Sequence, residues 1–485
     1  MTWLMPVCRV LGIIAMAMSM THVLPIFTSL VYRDGTTPYF AASMALNFAA
    51  GGLAWLIARG HTRELILRQG ILLVLFVWTG GALLATVPLQ LAIPGLSFTD
   101  AYFEAISGLT ATGSTVLANL DRLPASVNVW RAELQWLGGM GVIVLVVAIL
   151  PMLGVGGRQI SKSEIPGPMK EDQLTPRLTE TAKGLWLVYA GLTAACFVSY
   201  HAAGMTWLDA LIHSFTTISL GGYSSHDASF AYFDSPLIEA IAILFMLAGG
   251  INFATHFMAW RQRSFGPYRR DTEVHYFLLA AGISVAGIAL FLWFSAVYPD
   301  FATALRYAAF NIVSFGTTTG YTTAEYHLWP VFAALWMLFL GTFLSCSGSA
   351  GGGIKMIRAI ILYRQVYREL NRLAHPSATL PLKVAGQVVP NQIVFAVLAF
   401  FFVWIAILIS MTLALGWSGL DAMTAFSAVV ASLSNIGPGL QEVGPNSTFA
   451  SLTDFQTWIC SAAMLLGRLE LFTVLVVFTP TFWRK

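Results

Sequence analysis

Four short stretches of this chain run small or hydroxyl-bearing residues into a glycine. They are Thr110-Ala111-Thr112-Gly113, Leu220-Gly221-Gly222, Thr317-Thr318-Thr319-Gly320 and Ser434-Asn435-Ile436-Gly437. What such residues offer chemically is main-chain oxygen. Glycine reaches dihedral angles closed to other residues, so it can turn carbonyls inward. A ring of inward carbonyls can replace the hydration shell of a small cation. Gly113, Gly222, Gly320 and Gly437 lie 109, 98 and 117 residues apart, a repeat within one polypeptide. Four copies would complete a four-sided ring without four subunits. The expected cation-holding residues are therefore Thr110, Ala111, Thr112, Gly113, Leu220, Gly221, Gly222, Thr318, Thr319, Gly320, Asn435, Ile436 and Gly437. The plainer alternative is four unrelated glycine turns.

Each stretch follows a short amphipathic run, such as Asp100 to Leu109, that reads as a helix too short to cross a membrane. Its C-terminal end, carrying roughly −0.5 charge, would face the same cavity. Asp100 lies 13 residues before Gly113 and Asp209 lies 13 before Gly222, while Asp421 lies 16 before Gly437, about one extra turn. Tyr307 stands at that position in the third copy, so its cap must come from elsewhere. Irregular backbone at membrane depth is tolerated only when packed in protein or lining a watery cavity.

The surrounding chain fits that setting. Of 485 residues, 57% are hydrophobic and 10% charged, against about 25% charged in soluble domains. Apolar runs long enough to span a bilayer recur throughout, which makes this an all-α polytopic membrane protein. Ten spans are expected, near 7–31, 38–58, 70–93, 133–153, 183–203, 237–260, 275–298, 329–362, 390–416 and 456–482. The first two form a preface, residues 1–62. Four span–pore helix–span units follow around one central pore, at 63–157, 158–262, 263–372 and 373–485. Arg9 with a long apolar run and no small-residue cleavage site reads as an uncleaved first span. No separate soluble domain is expected, and the interior loops 154–182 and 359–389 are either contact surfaces for a cytosolic partner or simply solvated.

Charge sets the orientation. Of the 26 Lys and Arg residues, 21 fall between units or at the termini. The face bearing the glycine loops has only Arg33, Arg122, Arg131 and Arg306, against 14 acids. The positive-inside rule puts both termini in the cytoplasm. The basic residues are sorted by side rather than gathered on one surface, so nucleic acid is not an expected partner. Cys8, Cys196, Cys346 and Cys460 sit in or beside apolar runs, and neither a disulfide nor a Cys/His metal site is expected.

Two features break the helical pattern. Residues 345–353, Ser-Cys-Ser-Gly-Ser-Ala-Gly-Gly-Gly, interrupt the eighth span. Glycine is about 1 kcal/mol worse than alanine in a helix interior, so no straight helix is expected there. Gly348, Ser349, Ala350, Gly351, Gly352 and Gly353 are expected to form a gate below the loops. A tight packing kink is the alternative. Gly348 and Gly353 have P-loop spacing, but Ile354 stands where that motif needs Lys. Arg468 and Glu470 lie within the last span. Intramembrane charges are expensive and functional by default. Arg468 is expected to face the pore or the broken stretch as a positive barrier, while Glu470 is as well explained by a buried ion pair.

Other candidates carry less. His201, His213, His256 and His275 lie in or near spans and read as packed or interfacial. Gly416-Trp417-Ser418-Gly419 matches an intramembrane serine protease pattern but has no matching His, so no enzyme activity is expected.

Taken together, Thr110 to Gly113, Gly222-Tyr223, Thr317 to Tyr321, Asn435 to Leu440, the Gly-rich break and Gly467-Arg468-Leu469-Glu470 resemble the Trk branch of the Trk/Ktr/HKT superfamily over nearly the whole chain. The resemblance implies a K⁺-conducting pore in the bacterial inner membrane, with K⁺ ions held in the loops and no organic cofactor on this chain. It also implies a homodimer with one pore per subunit and a cytosolic TrkA-type nucleotide-binding ring that controls the gate. The resemblance makes the four glycines the selectivity filter, Gly348 to Gly353 the intramembrane loop and Arg468 the pathway arginine. Gated passive uptake is the leading expectation. H⁺- or Na⁺-coupled symport is the alternative, and an intramembrane hydrolase or a receptor is remoter.

Overall fold

With no water to serve the backbone in a bilayer, a spanning segment must satisfy its own hydrogen bonds, and this chain does so with helices. The computed structural model describes residues 2–63, 65–144 and 178–484. Most of the expected interior loop 154–182 lies outside the described residues. The strand content described is one antiparallel hairpin, Lys383–Val384 against Gln387–Val388, in the other interior loop.

The preface is α1 (Met5–Ser19) and α2 (Val23–Tyr32), joined by a 3-10 turn as one span, and α3 (Thr37–Ala58). A Cβ on Gly12 of α1 would come within 2.6 Å of the Gly51 carbonyl on α3, and one on Gly51 within 2.8 Å of Gly12. Small residues let helix backbones approach closely where lipid gives no hydrophobic drive.

Unit one comprises α4 (Leu67–Ala92), the short α5 (Phe98–Leu109) and α6 (Ala125–Val144). Unit two comprises α7 (Leu178–Ala202), the short α8 (Trp207–Ile218), α9 (Pro236–Gly250) and α10 (Phe253–Gln262), with α11 (Gly266–Arg270) leading on. Unit three has α12 (Thr272–Phe294), the short α13 (Phe301–Gly316), α14 (Val331–Phe343) and α15 (Met356–Ala374). Unit four has α16 (Asn391–Trp417), the short α17 (Ala422–Leu433), α18 (Asp454–Arg468) and α19 (Leu471–Leu475). Among the described residues, six helices are long and apolar enough to cross a membrane, or eight when each bent pair counts as one. With α6 and the α14–α15 pair these make the ten expected spans.

One expectation needs correction, and two of the spans are bent. Within the spans near 237–260 and 456–482 the chain bends by 96° between α9 and α10 and by 114° after α18. Asn252 side-chain capping of Ala254 N starts α10 anew, and Glu470 at φ 62 interrupts the last span. The extra helical turn sits in unit three, not unit four. α5, α8 and α17 have 12 residues each, whereas α13 has 16. The offset of Asp421 arises because Asp421 is itself the N-cap, while Ser97 and Thr206 cap the first two helices and Asp100 and Asp209 answer them from the first turn. The cap missing at Tyr307 is Asp300, which accepts from Thr303 N at 2.8 Å.

The units pack in cyclic order. Val129 and Ala132 of unit one meet Ile212 of unit two. Tyr189 and Phe245 of unit two share a core with Phe310 and Tyr321 of unit three. Ile312 and Met337 of unit three share one with Val430 and Ile436 of unit four. Phe103 and Trp130 of unit one close the circle with Val429 and Met464 of unit four.

Candidate functional site

All four short helices end in the same way. In unit one Thr112 N bonds Ser107 O at 2.9 Å and Ala111 N bonds Gly108 O at 2.9 Å. The same pair recurs as Gly221 N to Thr216 O with Leu220 N to Thr217 O, as Thr319 N to Ser314 O with Thr318 N to Phe315 O, and as Ile436 N to Ala431 O with Asn435 N to Ser432 O. This is the Schellman ending, whose turn residue is left-handed and usually glycine. Here the turn residues are Ala111, Leu220, Thr318 and Asn435, with φ of 51, 55, 66 and 54°. Two residues on, Gly113, Gly222, Gly320 and Gly437 are again left-handed, with φ of 89, 76, 83 and 105°. The backbone repeats where the side chains do not.

The four loops meet in a ring. A Cβ on Gly113 would lie closer than 3.0 Å to the Gly221 carbonyl oxygen, one on Gly222 to that of Thr319, one on Gly320 to that of Ile436, and one on Gly437 to that of Thr112. Each glycine thus abuts the carbonyl preceding the next unit's glycine, and the sequence of contacts returns to its start. Side chains brace the ring from outside. Ser114 Oγ donates to Gly437 O at 2.8 Å and Asn435 Nδ2 to Thr112 Oγ1 at 2.8 Å, joining units one and four. Gln135 Nε2 donates to Gly221 O at 2.7 Å, joining units one and two. Thr110 and Thr112 pair their hydroxyls at 2.7 Å, and Thr317 and Thr319 do so at 2.8 Å.

A second set of glycines, not anticipated from the sequence, seats the short helices. A Cβ on Gly138 would lie closer than 3.0 Å to Leu109 O, one on Gly341 to Phe315 O and one on Gly467 to Leu433 O, and one on Gly249 would fall 3.3 Å from Ile218 O. Each return helix therefore touches the C-terminal carbonyls of its own short helix. No sequence signal marks them: they follow their ring glycines at unequal intervals of 25, 27, 21 and 30 residues, and many span glycines compete for notice.

Beneath the ring, residues 344–355 are non-helical, a slightly longer break than expected. Gly348, Ser349, Ala350, Gly351, Gly352 and Gly353 all lie in it. It presses on the loops: Gly352 N donates to Thr318 Oγ1 at 2.8 Å, and a Cβ on Gly351 would be 2.9 Å from Thr317 O. It also clasps the bend of unit two, through Cys346 N to Gly250 O and Phe253 N to Gly348 O, both 3.1 Å. Glu273, which the sequence did not single out, accepts from Ser347 N at 2.7 Å and Ile357 N at 3.1 Å, so one carboxylate holds both sides of the break. Lys355, at φ 79, donates to Gly351 O. Arg468 donates to Ala350 O at 2.7 Å and Gly138 O at 3.1 Å, bringing units one, three and four together. Glu470 is not beside it but pairs with Arg358 at 2.7 Å.

Above the ring, His226 of unit two sits 2.5 Å from Asp121 of unit one and 3.2 Å from Asp209. Burial opposes the imidazole's charge, but the two carboxylates outweigh it and raise His226 above the ordinary histidine value. Asp121 is lowered in turn, the His226 bond overcoming its burial. A group raised on folding stabilises fully below its unfolded value, about 6.5, and loses that contribution as pH climbs through the folded value. The carboxylates lose theirs only as pH falls below the ordinary acid range. Wild type should therefore exceed His226→Gln in thermal stability at pH 6, by less than about 1 kcal/mol because Asp121 is exposed. The gap should close by pH 9. A gap that widens with pH would contradict a stabilising charge on His226.

A sequence profile of the TrkH family, described as a cation transport protein, matches residues 36–485. The chain is 44% identical to the Trk system potassium uptake protein TrkH of Halomonas elongata, over 99% of each chain. It is 35% identical to the Trk system potassium uptake protein TrkG of Escherichia coli K12, over 99% of this chain and 98% of the relative. The crystal structure of the potassium transporter TrkH from Vibrio parahaemolyticus superposes with a TM-score of 0.92 at 40% identity, covering 99% of each chain. On this shared sequence and fold, the chain belongs to the TrkH family of cation transport proteins.

Proposed function

We propose that this multi-pass membrane protein is the conducting subunit of a bacterial potassium uptake system, a transporter and not an enzyme. The observation that carries the reading is the closed ring, in which four left-handed glycines each abut the next unit's carbonyl. In it Thr110 to Gly113, Leu220 to Gly222, Thr318 to Gly320 and Asn435 to Gly437 supply main-chain oxygens that take over from K⁺ hydration. The four short helices add their negative ends. Gly348 to Gly353, held by Arg468 and Glu273, close the path below, and they open it when that contact set is released. The orientation follows the basic loops, with both termini inside. A cell-negative potential contributes about 2.3 kcal/mol per charge per 100 mV, so uptake needs no stoichiometric ATP. Opening answers to a cytosolic TrkA-type nucleotide-binding ring, and the chain works as a homodimer with one pore per subunit.

The test is liposome flux of K⁺, Rb⁺ and Na⁺. K⁺ should lead Na⁺ without an opposing pH gradient, and Arg468→Ala should raise the partner-free basal rate, because it frees Ala350 O and Gly138 O. An unchanged basal rate would end the gate assignment. Coupled symport is the rival, favoured by one observation: Glu133 Oε2 is buried in α6 without a hydrogen-bond partner among the described residues. Flux that demands a proton gradient and is lost in Glu133→Gln would select it.

A further inference from the structure

Away from the ring, a groove of about 570 Å³ opens between α7 and the α10–α11 turn. Its walls are Leu187, Val188 and Leu192 on one side and Ala259, Trp260 and Phe265 on the other. Leu187, Trp260 and Phe265 are 57, 60 and 77% exposed, a degree of apolar exposure that water would penalise and lipid would not. Arg263 also lines the groove and is exposed. Arg261, Arg269 and Arg270 are exposed on the same ten-residue turn, with no carboxylate partner among the described residues. The floor is polar and already paired, His256 bonding Tyr268 at 2.7 Å and Ala248 O at 2.8 Å. Because α10 leaves α9 at 96°, α10 runs across the direction of the α9 span.

We propose that this groove is a binding site for an anionic phospholipid of the surrounding bilayer. An acyl chain lies along the leucine and aromatic walls, and the phosphate meets Arg263 and its neighbouring arginines. Charge complementarity commits the site to this occupant. Basic pockets between spans are fitted to anionic headgroups, and Arg presents a planar fork that matches phosphate. An uncharged lipid would leave four cations unanswered. The site is distinct from the ion path and would anchor the bend of unit two, whose start at Phe253 clasps the break.

The experiment uses the full chain purified in detergent, exposed to dioleoylphosphatidylglycerol or dioleoylphosphatidylcholine, with retained lipid counted by native mass spectrometry. The anionic lipid should be retained about fivefold or more over the zwitterionic one. Arg263 has φ 48, so Arg263→Asn preserves a left-handed residue and should bring the two lipids level. A Cβ on Gly191, in the groove wall, meets nothing within 4 Å. Gly191→Phe should therefore fold normally and lose both lipids by occupying the groove. Equal retention of the two lipids by wild type would overturn the proposal and assign the arginines to an acidic protein surface. Retention unchanged in Gly191→Phe would overturn it independently of any charge effect.

Discussion

Gly222→Ala is expected to reduce potassium flux at least about tenfold in liposomes and to erode the preference over sodium. An L-residue in left-handed backbone costs roughly 1–2 kcal/mol, and Gly222 has φ 76. The added methyl would also overlap the Thr319 carbonyl, and forcing extra volume into packed structure costs typically 1–3 kcal/mol more. The carbonyl that must give way is one proposed to face the ion, so the strain falls on coordination rather than on a remote helix. Gly113→Ser tests the same contact one unit earlier, against Gly221 O. The matched control is Gly287→Ala in α12, where an added Cβ meets nothing within 4 Å; it should conduct as wild type. Normal flux and ion preference in Gly222→Ala would remove the ring from the conduction path.

The largest expected loss of stability follows Arg131→Met. Arg131 on α6 and Glu104 on α5 pair at 2.7 Å with side chains 1% and 0% exposed. The guanidinium also donates to Asn128 Oδ1 and Ser224 O and lies 4.3 Å over the Tyr223 ring. The carboxylate accepts from Thr115 Oγ1 and Val116 N. Removing one partner of a buried pair leaves an uncompensated charge and costs about 3–5 kcal/mol, whereas removing both can be nearly neutral. Arg131→Met should melt far below wild type, and Arg131→Met with Glu104→Gln should recover much of the difference. A double variant no better than the sum of the singles would show that packing, not charge, dominates.

Much of this architecture could be read directly from residue order. The ring glycines, the Gly-rich break and the ten spans rest on local signals: unusual residues at recurring intervals, and apolar runs of bilayer length. What escaped notice depends on partners far apart in the chain. Arg131 reads as one more charge on the loop face, and nothing nearby says that Glu104, 27 residues earlier, neutralises it. Glu273 opens an ordinary span, and its two amide partners lie 74 and 84 residues on. The bends after α9 and α18 escaped because their hydropathy runs on unbroken, while the turn is made by Asn252 capping in one and left-handed Glu470 in the other. An acid at the N-cap, Asp421, and acids in the first helical turn, Asp100 and Asp209, look alike in sequence, which shifts the apparent extra turn from unit three to unit four. Lys355 and the seating glycines needed three-dimensional neighbours to become visible.

The left-handed turn residues Ala111, Leu220, Thr318 and Asn435 differ in every quadrant. Where identical subunits surround an axis, one codon change alters every side at once, so selection can test only coarse alternatives. Here a single replacement adjusts one quarter of the circumference and leaves three quarters intact. Under the role proposed for the ring, ionic discrimination can consequently be tuned in small, separately heritable steps, and asymmetry becomes material for adaptation instead of a flaw in a copied design.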